Sequence, residues 1–152
     1  MTLQFVQFLA ITLKAIALVP GGAHLASLAN KMTMAQAAYF VTQQIYAGWA
    51  FFGIVLFGAL GANLVLTIML RRLGGSFGCA LAAALFIAAN LVIFFIWTFP
   101  TNQATSNWTL CPRTGMSCAS SGEYSHAVNA VVMFMALVCV VVVVLQQRSA
   151  RG

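Results

Sequence analysis

The sequence predicts an all-α integral membrane protein, an antiparallel bundle of four transmembrane helices with both termini in the cytoplasm. Three observations predict this fold. Hydrophobic residues make up 62% of the chain and charged residues only 5%, whereas a soluble domain carries about 25% charged residues. Four apolar stretches reach the roughly 20 residues that a helix needs to cross a bilayer. Apart from Lys14, the basic residues stand at or beyond the ends of those stretches.

The predicted spans form one membrane domain, residues 1–152. They cover residues 3–29, 45–70, 77–99 and 127–145. The fourth contains VVMFMALVCVVVVVL, whose β-branched residues would suit a buried strand, but its length favours a spanning helix. LASLA before Asn30 is similar to a signal-peptide cleavage site. No positively charged region precedes the apolar core, so we expect the first span to be retained.

Basic residues in the loops set the predicted orientation. Four lie on one side of the bundle: Arg71, Arg72, Arg148 and Arg151. Lys31 and Arg113 lie on the other side, so the excess of positive charge places both termini in the cytoplasm and the loops 30–44 and 100–126 outside. Lys14 lies within the first apolar run, and we expect its long stem to snorkel towards the cytoplasmic surface.

The net charge of +6 does not indicate a nucleic-acid-binding protein, because the basic residues form no cluster beyond the pairs at segment ends. Residues in such positions typically contact anionic lipid head groups. The expected partners are therefore membrane lipid and a hydrophobic small molecule, with no nucleic acid.

Two of the four cysteines lie in the predicted outer loop. Cys111 and Cys118 bound the segment CPRTGMSC, which predicts a small disulfide in an oxidising compartment. Two free thiols in a flexible loop are the alternative. Cys79 and Cys139 lie in apolar helix and are expected to be small packing residues.

Polar side chains gather at the outer ends of all four predicted spans. Gln36, Tyr39, Gln43 and Tyr46 follow one another at helical spacing and form a stripe on one face. The expected catalytic residues are the ionisable ones: His24, Lys31, Glu123 and His126. The expected substrate-binding residues have amide or aromatic side chains: Gln43, Tyr46, Trp49, Asn102, Asn107, Trp108 and Tyr124. Ionisable groups near membrane depth are functional candidates, although interface anchoring, helix capping and interhelical packing remain alternatives for each one singly.

Glu123, the sole acidic residue, and His126 lie one helical turn apart at the start of the fourth span. One hypothesis makes His126 a base that removes a phenolic or carbon-bound proton, with Glu123 orienting the imidazole. Lys31, Gln43 and Asn102 would then stabilise the developing negative charge. Aromatic side chains would form one wall of the site: Tyr46, Trp49 and Trp108.

The segments AHLASLANK, YFVTQQIYAGWAFFGIVL, FPTNQATSNWT and EYSHA resemble a family of small four-helix bacterial membrane proteins of unknown function, related to the anthrone oxygenase-like proteins of aromatic polyketide pathways. The resemblance covers about residues 20–130. It points to the residues His24, Asn30, Lys31, Gln43, Gln44, Tyr46, Trp49, Asn102, Thr105, Asn107, Trp108, Glu123, Tyr124 and His126. The chain departs from the family pattern at TLCPRTGMSCASSG, where a Trp- and Arg-rich stretch is usual, and at Ala47, where an arginine is common.

The resemblance implies an oxidoreductase or oxygenase-like protein of the bacterial inner membrane, acting on a lipophilic aromatic or quinone-like substrate at a polar site on the periplasmic side. Two alternatives stay open. His24 and His126 would be the ligands if haem b or copper is bound, although the sequence itself requires no cofactor and one carboxylate is too few for a di-iron site. The chain would otherwise be a non-enzymatic homo-oligomer or accessory subunit, with small residues facing the partner: Gly53, Gly58, Gly61 and Ala62.

Overall fold

The computed structural model describes residues 2–107, 109 and 116–149, and the side chains of residues 116–119 are not described. These residues form helices and turns, and the described part contains no strand. The α-helices are α1 (Leu3–Met32), α2 (Gln36–Gln43), α3 (Phe52–Leu70), α4 (Gly74–Ile93), α5 (Phe99–Ala104) and α6 (Met116–Ser149). A π-helical turn, Phe94–Thr98, joins α4 to α5, and two 3₁₀ turns, Gln44–Tyr46 and Trp49–Phe51, precede α3.

Four helical segments are long and apolar enough to cross a membrane, which confirms an all-α protein with four candidate transmembrane helices. They are Leu3–Met32, Trp49–Leu70, Gly74–Ala104 and Ser120–Ser149. The second begins later than the predicted residue 45 because the chain turns at Gly48, whose φ of 82° suits glycine. The fourth extends beyond the predicted 127–145 at both ends, so Glu123 and His126 lie well inside a helix.

The four long helices pack in a ring. Helix α1 contacts α3 and α6, and α4 contacts the same two helices. Small residues allow close packing inside the ring: Gly21 lies so near α6 that an added Cβ would come within 3.2 Å of the Ala130 backbone. Of the glycines expected to face a partner, Gly58 packs on Leu13, whereas the Cα of Gly61 faces open space.

Lys14 lies inside the ring and is fully buried. Its Nζ donates to Asn63 Oδ1 at 2.6 Å and to the Ala10 carbonyl at 3.3 Å. The Asn63 amide nitrogen in turn donates to the Ala80 carbonyl at 2.8 Å. The prediction that Lys14 snorkels to the surface was therefore wrong, because an amide oxygen within the bundle satisfies the ammonium group. These hydrogen bonds connect α1, α3 and α4.

The third long helix contains one wide turn, in which the Phe99 N–H bonds to the Phe94 carbonyl five residues back. Pro100 follows at once and has no N–H to continue the regular pattern. Turns of this kind are frequent at functional sites. Here the wide turn ends at Thr98, a fully buried residue that faces α6.

Candidate functional site

The carboxylate of Glu123 lies at the centre of a buried polar cluster and is 0% exposed. Its Oε1 accepts hydrogen bonds from Lys31 Nζ at 3.2 Å, from the Tyr39 hydroxyl at 3.0 Å and from the Gln43 amide. Its Oε2 accepts from His24 Nδ1 at 2.9 Å and from Lys31 Nζ at 3.2 Å. Residues far apart in the chain thus supply hydrogen bonds to both carboxylate oxygens, which is the condition for burying such a charge.

Three helices build this cluster, which we call the Glu123 cluster (His24, Lys31, Tyr39, Gln43 and Glu123). His24 and Lys31 are seven residues apart, so they share one face of α1 near its end. Tyr39 and Gln43 are four residues apart on α2 and are the two buried residues of that helix. Helix α2 therefore covers the carboxylate that α6 supplies.

The protons within the cluster can be assigned from its geometry. Lys31 Nζ has three protons and lies within reach of three oxygens, the two of Glu123 and Gln43 Oε1 at 3.3 Å. Lys31 Nζ also lies 3.3 Å from His24 Nδ1. The contact between Nδ1 and Glu123 Oε2 decides where the imidazole proton lies, because an ionised carboxylate can only accept a hydrogen bond. Nδ1 must therefore carry a proton and donate it to Glu123, which leaves the lone pair of a neutral His24 on Nε2.

Tyr39 belongs to the cluster, although the sequence placed it only in the polar stripe and not among the site residues. Its hydroxyl is buried, accepts from the Gln43 amide at 2.5 Å and donates to Glu123. Burial, followed by the negative charge of Glu123, raises the pKa of the Tyr39 phenol well above its ordinary value. The phenol therefore remains a hydrogen-bond donor at neutral pH. The four-residue spacing from Gln43 was the signal that could have identified it.

A stack of aromatic rings packs against the cluster through the His24 ring. The His24 ring lies between the Tyr46 ring, at a centroid distance of 4.2 Å, and the His126 ring, at 4.0 Å. Trp49 meets Tyr46 edge to face at 4.7 Å, and Lys31 Nζ lies 4.3 Å from the centre of the Tyr46 ring. The predicted aromatic wall is present for Tyr46 and Trp49, and it packs on the imidazoles.

The contacts assign different roles from those in the sequence hypothesis. Glu123 bonds to His24 and not to His126, so it orients the imidazole from α1. Lys31 and Gln43 donate to Glu123, and their expected role as donors to a substrate oxyanion stays a prediction. Within the described residues, the ring nitrogens of His126 have no hydrogen-bond partner, and the side chain is only half-buried. His126 is therefore the imidazole of this site that is available to a ligand.

The histidine pair does not have the geometry for a haem held between two axial imidazoles. The rings lie face to face with an angle of 10° between their planes, and imidazole lone pairs lie in the ring plane. The nitrogens of His24 and His126 therefore do not point at a common metal between the rings. In the part of the chain that the structure describes, no group of three or more His, Cys, Asp or Glu residues could hold a metal ion.

A second polar network links α6 to the wide turn before Pro100. The Ser125 hydroxyl donates to the Gly122 carbonyl at 2.7 Å, so in its 2.9 Å contact with Thr98 the threonine hydroxyl must donate. Thr98 then accepts from the Asn129 amide nitrogen at 3.2 Å. The amide nitrogen of Asn129 therefore has a partner, whereas its amide oxygen Oδ1, which is buried, has no hydrogen-bond donor among the described residues. A hydroxyl group could supply that donor.

Among the described residues, the other expected binding residues form no hydrogen bond with the Glu123 cluster. Tyr124 is 51% exposed on α6, and Asn107 is exposed in a left-handed turn with a φ of 54°. Asn102 lies on α5, and its buried Oδ1 has no partner in the described ranges. Trp108 lies outside the described residues, so its expected role is untested.

The cysteine predictions have separate outcomes. Cys111 lies outside the described residues, as does the side chain of Cys118, so the predicted disulfide between them is not addressed. Cys79 and Cys139 are free thiols. Both pack against the apolar core of the bundle, in agreement with the prediction.

Comparison of the chain with protein-family models, curated proteins and solved structures finds no match.

Proposed function

We propose that the protein is a membrane oxidoreductase in which His126 removes a proton from a lipophilic aromatic substrate, such as an anthrone or a quinol, so that dioxygen can oxidise the resulting anion. The observation that carries this proposal is the stack of His126 on His24, whose Nδ1 is bound to the buried carboxylate of Glu123. Among the described residues, the pair presents one imidazole whose Nδ1 is bonded to Glu123 and one whose ring nitrogens have no hydrogen-bond partner.

His126 is the base in this proposal because, among the described residues, both of its ring nitrogens lack a hydrogen-bond partner, whereas Nδ1 of His24 is bonded to Glu123. A general base must reach the proton that it abstracts, and the half-buried position of His126 allows this. The carboxylate of Glu123 lies one helical turn away and offsets the positive charge that His126 gains. Lys31, Tyr39 and Gln43 stabilise the negative charge of that carboxylate by donating hydrogen bonds to it.

Neighbouring groups suit an aromatic substrate with a hydroxyl group. Tyr46 and Trp49 offer ring surfaces beside the imidazoles. Asn129 lies three residues after His126 on α6, and its buried Oδ1 has no hydrogen-bond donor in the part of the chain that the structure describes. A phenolic hydroxyl would supply that donor and would place the ring within reach of His126.

The oxidation step requires dioxygen as co-reactant. Loss of a proton from the acidic methylene of an anthrone gives an electron-rich anion, which can transfer electrons to dioxygen. The methylene becomes a carbonyl, one oxygen atom enters the product, and the other leaves as water with both methylene hydrogens. A quinol instead gives two electrons and its two hydroxyl protons to dioxygen, which yields a quinone and hydrogen peroxide. The residues of the site supply the proton transfer and the binding surface for this reaction.

The proposal includes a membrane orientation. An antiparallel arrangement with both termini in the cytoplasm of a bacterial cell would put the Glu123 cluster on the periplasmic side. Contacts between α1 and α6 support it: His24 meets Glu123 at one end, while Val6 and Val143 share an apolar cluster at the other. Arg148 lies near the latter end, where positive charge favours the cytoplasm.

The test separates proton abstraction from oxidation. Purified protein in lipid nanodiscs is incubated with a deuterated anthrone without oxygen, and loss of deuterium is followed by mass spectrometry. Oxygen consumption is measured in a second experiment. We expect His126→Ala to slow both by about 100-fold or more, and Val128→Ala, an exposed position on the same helix, to slow neither.

Equal rates in wild type and His126→Ala would refute the role of His126. Deuterium exchange without oxygen consumption would retain the base and reject the oxidation. If no anthrone or quinol reacts in either experiment, the enzyme hypothesis fails, and an accessory subunit of a larger membrane complex becomes the better interpretation.

A further inference from the structure

A cleft of about 290 Å³ lies between the beginning of α1 and the end of α6, far from the Glu123 cluster. Its polar lining consists of Gln4, Gln7, Gln147 and Arg148. None of these residues has a part in the proposed reaction. The cleft therefore needs its own explanation.

Gln7 provides the first indication of a ligand. Its side chain is only 7% exposed, and its amide nitrogen Nε2 is buried with no hydrogen-bond partner in the described part of the chain. A buried donor without a partner destabilises the folded protein, because no hydrogen bond compensates its loss of water. Because Gln7 lines the cleft, a ligand there that accepts hydrogen bonds would remove this destabilisation.

Arg148 indicates the charge of that ligand. Arg148 lines the same cleft, and Glu123, the only acidic residue in the sequence, is bonded to Lys31 and His24 at the other site. No aspartate or glutamate side chain of this protein can therefore neutralise Arg148. An arginine beside a buried amide N–H suits a phosphate group, which accepts hydrogen bonds from both.

The remaining walls of the cleft are apolar. Phe8, Ile11 and Val144 line it, and Phe8 is 67% exposed on the outside of the bundle. In a bilayer this surface faces hydrocarbon chains. A ligand that satisfies both parts of the cleft has a negatively charged head group and an apolar tail.

We propose that the cleft binds one anionic phospholipid, whose phosphate oxygens accept hydrogen bonds from Gln7 Nε2 and Arg148 and whose acyl chain lies along Phe8. Basic pockets between transmembrane helices are known to take such head groups. The site does not depend on the proposed reaction, since it lies at the opposite end of α6 from His126.

The test measures lipid that remains bound to the whole protein. The protein is purified in mild detergent with an equimolar mixture of phosphatidylglycerol and phosphatidylcholine, and native mass spectrometry counts each lipid. We expect one phosphatidylglycerol per chain in wild type, and at least a tenfold loss in Arg148→Gln and in Gln7→Glu, which places a negative charge beside the phosphate. Arg72→Gln is the matched control, because it removes the same charge from a separate surface cleft and should change retention by less than twofold.

Circular dichroism establishes that each variant is folded, and Gln7→Leu, which adds no charge, provides a second test at that position. Equal retention of the two lipids by wild type would overturn the proposal. So would unchanged phosphatidylglycerol retention in both Arg148→Gln and Gln7→Leu. Displacement of the lipid by millimolar inorganic phosphate would also overturn it, because the site would then recognise a free anion and not a lipid.

Discussion

Replacement of Glu123 by glutamine tests the central feature of the site. The substitution keeps the shape of the side chain and removes the charge that Lys31 faces. Lys31 is only 2% exposed, so water cannot replace the lost carboxylate. With 3.2 Å between Lys31 Nζ and Glu123 Oε1 and an effective dielectric constant of about 20, the attraction is about 5 kcal/mol. Removing one partner of a buried ion pair typically costs 3–5 kcal/mol.

We therefore expect Glu123→Gln to lower the free energy of unfolding by about 3–5 kcal/mol. Lys31→Met should lower the free energy of unfolding by less, because His24, Tyr39 and Gln43 still donate hydrogen bonds to the carboxylate. The double variant should lose less than the sum of the two single variants, because neither uncompensated charge is then present. Unfolding by sodium dodecyl sulfate in mixed micelles, followed by circular dichroism, measures all three.

Tyr124→Phe is the control, since Tyr124 is the next residue on α6 and is exposed; it should change the unfolding free energy by less than about 0.5 kcal/mol. If the free energy of unfolding of Glu123→Gln lay within about 1 kcal/mol of the wild-type value, the expected role of the buried ion pair would be refuted. The attraction between Lys31 and Glu123 would then be far smaller than Coulomb's law gives. Additive losses in the double variant would show that Lys31 and Glu123 are not coupled.

Two further predictions concern the interior of the bundle. Gly21→Ala should leave the protein about 1–3 kcal/mol less stable than the same change at Gly22, because the new methyl group would lie 3.2 Å from the Ala130 backbone. The adjacent Gly22 has open space around it, so Gly22→Ala should be neutral or stabilising, and equal effects in the same unfolding assay would contradict the close packing of α1 on α6. Lys14→Met should lower the free energy of unfolding by about 1–3 kcal/mol, because it removes the donor to Asn63 Oδ1. Adding Asn63→Leu should recover part of that loss, and a larger loss in the double variant would show that the two side chains are not partners.

The helical framework was predictable because each span carries its own signal. A run of some 20 apolar residues identifies a transmembrane helix without reference to the rest of the chain. The sequence also indicated that polar groups from different spans would meet, and the cluster of His24, Lys31, Gln43 and Glu123 agrees with that expectation. Local periodicity was sufficient for this level of detail.

The pairing within the site was not predictable, because it depends on the rotation of one helix against another. Glu123 and His126 are near neighbours in sequence, yet Glu123 bonds to His24, which is 99 residues away. A rotation of α6 by one residue position would change its partner. Lys14 and Asn63 are a similar case, since nothing local to either residue indicates the other.

The wide turn at Phe94–Thr98 has a consequence for insertions and deletions in this segment. Such a turn accommodates one residue more than a regular helical turn, and each residue of an α-helix advances the chain by about 100°. Loss of a single codon there would restore a regular helix and redirect Thr101 and Thr105, both buried in the present arrangement, towards the lipid. The number of residues in this turn therefore matters as well as their identity, and substitution experiments alone would not detect that requirement.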